Sequence, residues 1–242
     1  MNRGTLSRAI RALLVLFLAS WPPVALAKNG NPNPRVRPPH SHPYGATYGE
    51  WGARWWMWAD AIPAAINPIV QPNADCDVNQ SGPVFFLSGV PGGVIRPCTV
   101  RVGKALFFPI VNINNDYPCP EPPPFQPAPG QTLEEFLTAG AQFVIDFTTG
   151  LEVILDGVPL QDLFDYRATS HLFTFTGDPS LTAVSDPCIT GTPQSGVTDG
   201  YWIMLTPLPP GPHTLVIRAT LDFGGGATFQ IDTTYDLTVV QR

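Results

Sequence analysis

Proline sets the first limit on what this chain can become. There are 29 prolines among 242 residues, more than double the usual share of about 5%. A proline inside a helix removes a backbone hydrogen bond and collides with the preceding turn. The chain therefore argues against a mostly helical fold. Its hydrophobic content of 44%, with 11% aromatics, argues equally against disorder. Charged residues make up only 13% and the formal net charge is −6. With Lys28 and Lys104 as the only lysines, the chain lacks the basic footprint of a nucleic-acid binder.

The first 27 residues read as a removable export signal. Arg3, Arg8 and Arg11 precede an apolar run, Ala12–Ser20, and Ala25-Leu26-Ala27 ends in the small-x-small pattern of a cleavage site. The run is shorter than the ~20 residues a membrane span needs, and no later stretch is long enough. The expectation is an exported protein, periplasmic or extracellular, with no membrane span in the mature chain. Residues 28–46, rich in proline and asparagine, read as a leader. Residues 47–242 read as one domain, interrupted by a proline-rich excursion at 117–130.

Four cysteines, none in a CxxC pair, fit two disulfides in an exported chain. Of three possible pairings, Cys76–Cys98 and Cys119–Cys188 are favoured. The first closes a strand pair, and the second pins the proline-rich segment to a loop ending at Asp186-Pro187.

Thr47–Ile62 predicts a helix. Thr47 can cap it with Glu50 three residues on, and Glu50 can pair with Arg54. Trp51, Trp55 and Trp58 follow helical spacing, with Trp56 beside them. These indoles, with Arg54, are either a stacking platform for a ligand or a helix wedged against a sheet. A second, short helix is expected at Thr132–Gly140, capped by Thr132 and Glu135. The rest reads as strands: Pro83–Ser88, Val94–Val102, Ala105–Val111, Gln142–Phe147, Leu151–Leu155, Val158–Leu160, Leu172–Thr176, Tyr201–Thr206, Thr214–Leu221 and Ala227–Val240. Asn112–Gly130 and Gly177–Asp199 read as loops. Strands that come in runs, without alternating helices, fit a mainly β fold: an antiparallel β-sandwich, immunoglobulin-like or jelly-roll-like.

The stretch Leu205–Ile217, with Pro209-Pro210-Gly211-Pro212-His213, resembles the penultimate corner of immunoglobulin-like sandwiches. His213 would there bond a nearby backbone carbonyl, as a corner tyrosine does. The ordered set Tyr48-Gly49-Glu50-Trp51, Arg54-Trp55-Trp56, Gly82–Leu87, Cys98–Pro109, Asp156-Gly157, Tyr166-Arg167 and Asp199–Trp202 is similar to an uncharacterised family of exported bacterial proteins. That resemblance implies export and architecture, and no catalytic residues.

Strong catalytic signatures are missing: there is no GxSxG elbow, no HExxH and no phosphate-binding glycine loop. Three weaker constellations remain. Asp75, Asp77 and Asn79 form D-x-D-x-N, the alternating oxygen pattern that suits calcium, the one cofactor suggested. Asn112, Asn114 and Asn115, with Asp116, follow a buried strand and could line a binding pocket. Glycan hydrolysis needs two carboxylates at about 5–9.5 Å, and Glu50, Asp60, Asp116, Asp156, Asp162 and Asp165 are the available acids, with Glu50 and Asp116 foremost. The leading expectation is a non-catalytic exported β-sandwich that binds a glycan, a surface polymer or a protein. The alternative is an extracellular glycan hydrolase or lyase using carboxylates near Glu50 or Asp116.

Overall fold

The computed structural model describes residues 32–119 and 125–241. The expected signal, the first residues of the leader and part of the proline-rich excursion lie outside them. Among the described residues, ten strands form two five-stranded sheets, accompanied by two α-helices. The strands are β1 (Val84–Phe86), β2 (Val94–Arg101), β3 (Ala105–Tyr117), β4 (Thr148–Leu155), β5 (Val158–Pro159), β6 (Arg167–Thr169), β7 (Phe173–Phe175), β8 (Gln194–Leu205), β9 (Gly211–Asp222) and β10 (Thr228–Val240). The helices are α1 (Tyr48–Asp60) and α2 (Leu133–Ile145).

One sheet runs β1-β3-β8-β6, with β7 also on β8; the other runs β2-β10-β9-β4-β5. The expected mainly β sandwich is what forms. Most pairs are antiparallel, but β1 runs parallel to β3 and β2 parallel to β10. The inner faces share one apolar core, which includes Phe108, Ile110 and Ile203 from the first sheet and Leu215, Ile217 and Leu237 from the second.

α1 forms where its capping box predicts. Thr47 N–H donates to Glu50 Oε2 at 2.7 Å, and Glu50 N–H donates to Thr47 Oγ1 at 3.1 Å. Its glycines allow the helix to lie directly on the first sheet. A Cβ on Gly49 would sit 2.2 Å from the Thr169 carbonyl oxygen, and one on Gly52 2.8 Å from the Trp202 ring. Only a residue without a side chain permits such an approach. Trp55 is 2% exposed and packs edge-on to Trp202, which itself stacks on Phe107 at 5.3 Å. The tryptophan helix is thus wedged against the sheet, and the open platform of five residues is not formed.

Several boundaries differ from expectation. α2 continues through Gly140 to Ile145, so the strand expected at Gln142–Phe147 is the end of this helix and the turn that follows it. Gly140 is held there by a close approach, since a Cβ on it would lie 2.2 Å from Asn115 Nδ2. β3 runs through Asn112–Asp116, which is strand rather than loop, because β8 pairs with it as far as Tyr117↔Ser195. β8 likewise begins at Gln194, inside the expected loop. Residues 33–46 are not a free leader: Asn33 bonds Gln161 twice, and Arg37 N–H donates to Met204 O at 2.9 Å.

Both expected disulfides are present, Cys76–Cys98 and Cys119–Cys188. His213, near the start of β9, bonds the Pro209 carbonyl oxygen at 2.9 Å, as the corner resemblance implies. Among the described residues, no helix is long and apolar enough to cross a membrane.

Candidate functional site

The open side of α1 faces a loop held opposite it, and the space between them is a groove of about 470 Å³. The loop is fixed at both ends. The Cys76–Cys98 bridge ties it to β2, and the Gln80 side chain bonds Cys76 O at 3.0 Å and both backbone groups of Phe86. Asn79, Ser81 and Gly82 therefore form a set rim. Trp51, Met57, Trp58 and Phe86 line the apolar side.

Trp51 Nε1–H donates to Pro43 O at 2.8 Å and Trp58 Nε1–H to Val78 O at 3.0 Å, so both rings are locked. Arg54 lies over Trp51, its guanidinium carbon 4.5 Å from the ring centre. The expected Glu50–Arg54 pair does not form, because Glu50 turns back to cap Thr47. Hydrogen bonds from the Thr47 backbone and side chain hold the Glu50 carboxyl below the usual carboxylate range. Arg54 makes no ion pair among the described residues, and its charge faces solvent over the groove.

Of the expected ligand-binding residues, the groove brings together Trp51, Arg54 and Trp58. Trp55 is outside it, its N–H spent on Leu87 O at 2.8 Å. Trp56 is partly buried and its Nε1 has no partner among the described residues. Asn112 and Asn114 lie on the α1 side of β3. Asn115 points the other way, donating to Leu137 O of α2 at 2.9 Å.

The two foremost catalytic candidates are not brought together. Glu50 is in the first turn of α1. Asp116 belongs with Asp60 at the far end, where the two carboxylates interact. Ten helical residues separate Glu50 from Asp60, ~15 Å along the axis, more than the ~5–9.5 Å that a glycosidase pair spans. Asp116 has a different set of neighbours. Its Oδ2 accepts from Gln194 Nε2 at 2.8 Å, and the same nitrogen reaches Cys188 O at 2.8 Å. Burial pushes its carboxyl up to about 7, with Asp186 adding to the rise. Asp60, 3% exposed, is raised well above the usual range by burial and by both neighbours.

Asp75 and Asp77 are exposed and line a shallow depression with Asp236. Asn79 lines the α1 groove instead. Asp186 has no sequence pattern of its own, although one clue was legible. Asp116 stands three residues before Cys119 and Asp186 two before Cys188, so the bridge itself draws the two acids together. No family model matches the chain, and no curated protein or solved structure does either.

Proposed function

We propose that this is an exported, non-catalytic binding protein that takes a saccharide chain in the groove beside α1. Two disulfides fit an oxidising compartment, and the leading 27 residues have the form of an export signal. The periplasm or the extracellular space is then its place of work. The carrying observation is the make-up of the groove. Locked aromatic rings and Met57 lie beside a guanidinium that makes no ion pair among the described residues, facing the amide of Asn79 and the hydroxyl of Ser81.

Apolar aromatic surface suits the C–H face of a sugar ring, and a few convergent polar groups orient its hydroxyls. A free guanidinium favours a carboxylate, which it can bind through two parallel hydrogen bonds. The preferred ligand is therefore an acidic polysaccharide. The separation of Glu50 from Asp116 favours binding over cleavage.

Retention on a panel of acidic and neutral polysaccharides tests this. Acidic chains are expected to retain the protein without release of new reducing ends. Arg54→Ala, on an exposed position, should weaken retention about tenfold or more at an unchanged melting temperature. Retention on no glycan, or retention indifferent to Arg54, would overturn the reading. New reducing ends would replace it with the hydrolase.

A further inference from the structure

Two carboxylates, Asp116 and Asp186, meet where β3 and the loop before Cys188 converge, and a third, Asp60 at the end of α1, interacts with both. Each is set by its own element. Asp60 closes α1, and its carbonyl accepts from Asp178 N–H at 2.7 Å. Asp116 is on β3, held by Gln194. Asp186 is turned inward by the Cys188 N–H, which donates to its Oδ1 at 2.8 Å. Oxygens of Asp116 and Asp186 lie within 4.8 Å of one another. The Cys188 sulfur belongs to the same group, but it is bonded to Cys119 and is no ligand. Among the described residues, no lysine or arginine pairs with any of the three acids.

A second observation is independent of the acids. Asn114, on the same side of β3 as Asp116, is 7% exposed, and neither its Oδ1 nor its Nδ2 has a partner among the described residues. Its direction is set by Gly196, the residue that faces Asp116 across the ladder. A Cβ on Gly196 would lie 2.8 Å from Asn114 Oδ1, so the amide oxygen leans into the Asp116 row. Buried polar atoms are nearly always paired. A buried amide oxygen beside clustered carboxylates is a further hard donor for a cation.

We propose that Asp116 and Asp186, with the amide oxygen of Asn114, form a divalent-cation site, with Asp60 close enough to interact with both carboxylates. The donors are all oxygen, which selects a hard ion over zinc or copper. Calcium suits a set drawn from separate elements, since it accepts irregular geometry at about 2.3–2.6 Å. Two oxygens on one calcium at about 2.4 Å are at most about 4.8 Å apart, and Asp116 and Asp186 meet that limit. The site differs from the Asp75–Asn79 loop and from the α1 groove. Its cation would bind β3 and the Cys188 loop to one another.

The test uses the full chain with its disulfides intact. Calcium chloride is the first probe, and terbium is the second, excited through the α1 tryptophans. Going from chelator to millimolar calcium should raise the melting temperature by about 5 °C or more. Terbium emission should appear and be displaced by calcium. Asp186→Asn, at a half-buried loop position, should weaken calcium about tenfold or more and abolish the emission. Asp77→Asn should change neither. If Asp186→Asn does not fold, Asn114→Ala makes the same test. A wild-type protein indifferent to calcium and dark with terbium overturns the proposal. So does a response that survives Asp186→Asn or disappears with Asp77→Asn.

Discussion

Two groups of side chains at the contact of α1 with the first sheet stand under opposite conditions. In one the interface is aromatic, and its indole nitrogens are satisfied. Trp51, Trp55, Trp58 and Trp202 each donate the indole N–H to a backbone carbonyl. In the other, Trp56 Nε1, Asn112 Nδ2 and both amide atoms of Asn114 lack partners among the described residues, and Asp60 and Asp116 are buried. Buried polar atoms are paired in the great majority of cases. The contrast separates a satisfied aromatic interface from one with open polar atoms.

Substitution can break this comparison. Trp202 is fully buried and stacked on Phe107, so Trp202→Ala should lower unfolding free energy by about 3–5 kcal/mol, read by denaturant titration. Asn114→Leu, in chelator, removes no hydrogen bond and keeps the volume. It should change stability by less than about 1 kcal/mol. Equal losses at the two positions would abolish the distinction.

A fully satisfied polar side chain sharpens it further. His213 bonds Asp156 Oδ2 at 2.8 Å through Nδ1 and Pro209 O through Nε2. Burial lowers the His213 value, but these hydrogen bonds outweigh it and the net shift is upward. On Asp156, burial raises the value, while the bonds from His213 and Thr214 outweigh it and the net shift is downward. The pair's contribution is thus whole between about pH 4 and 6.5. It fades as pH rises through the raised His213 value, and also as pH falls through the lowered Asp156 value. His213→Gln should lose about 0.5 kcal/mol at pH 5.5 and less at pH 9, measured by denaturant melts at both.

Local chemistry made much of the fold legible. The capping box at Thr47 and Glu50, the even cysteine count and the corner at Pro209–His213 each act over a few residues or through a covalent bond. What escaped was decided by partners distant in sequence. Asn112–Asp116 has little intrinsic preference for a strand, yet β8 supplies a ladder for all of it. Gly140 reads as a helix end until Asn115 is seen against it. Of the candidate site, Trp51, Arg54 and Trp58 could be named from helical spacing, but the loop that faces them across the groove could not. Asp60, Asp116 and Asp186 come from three elements, and no spacing rule joins them.

β10 lies between β2 and β9, and its parallel partner begins far earlier in the chain, at Val94. While a nascent chain is still shorter than Thr228, β2 has no neighbour in its sheet and β9 presents a bare edge. The second layer cannot close before Thr228 and the residues after it are made. Pairing between segments so remote is slow and leaves sticky edges in the meantime.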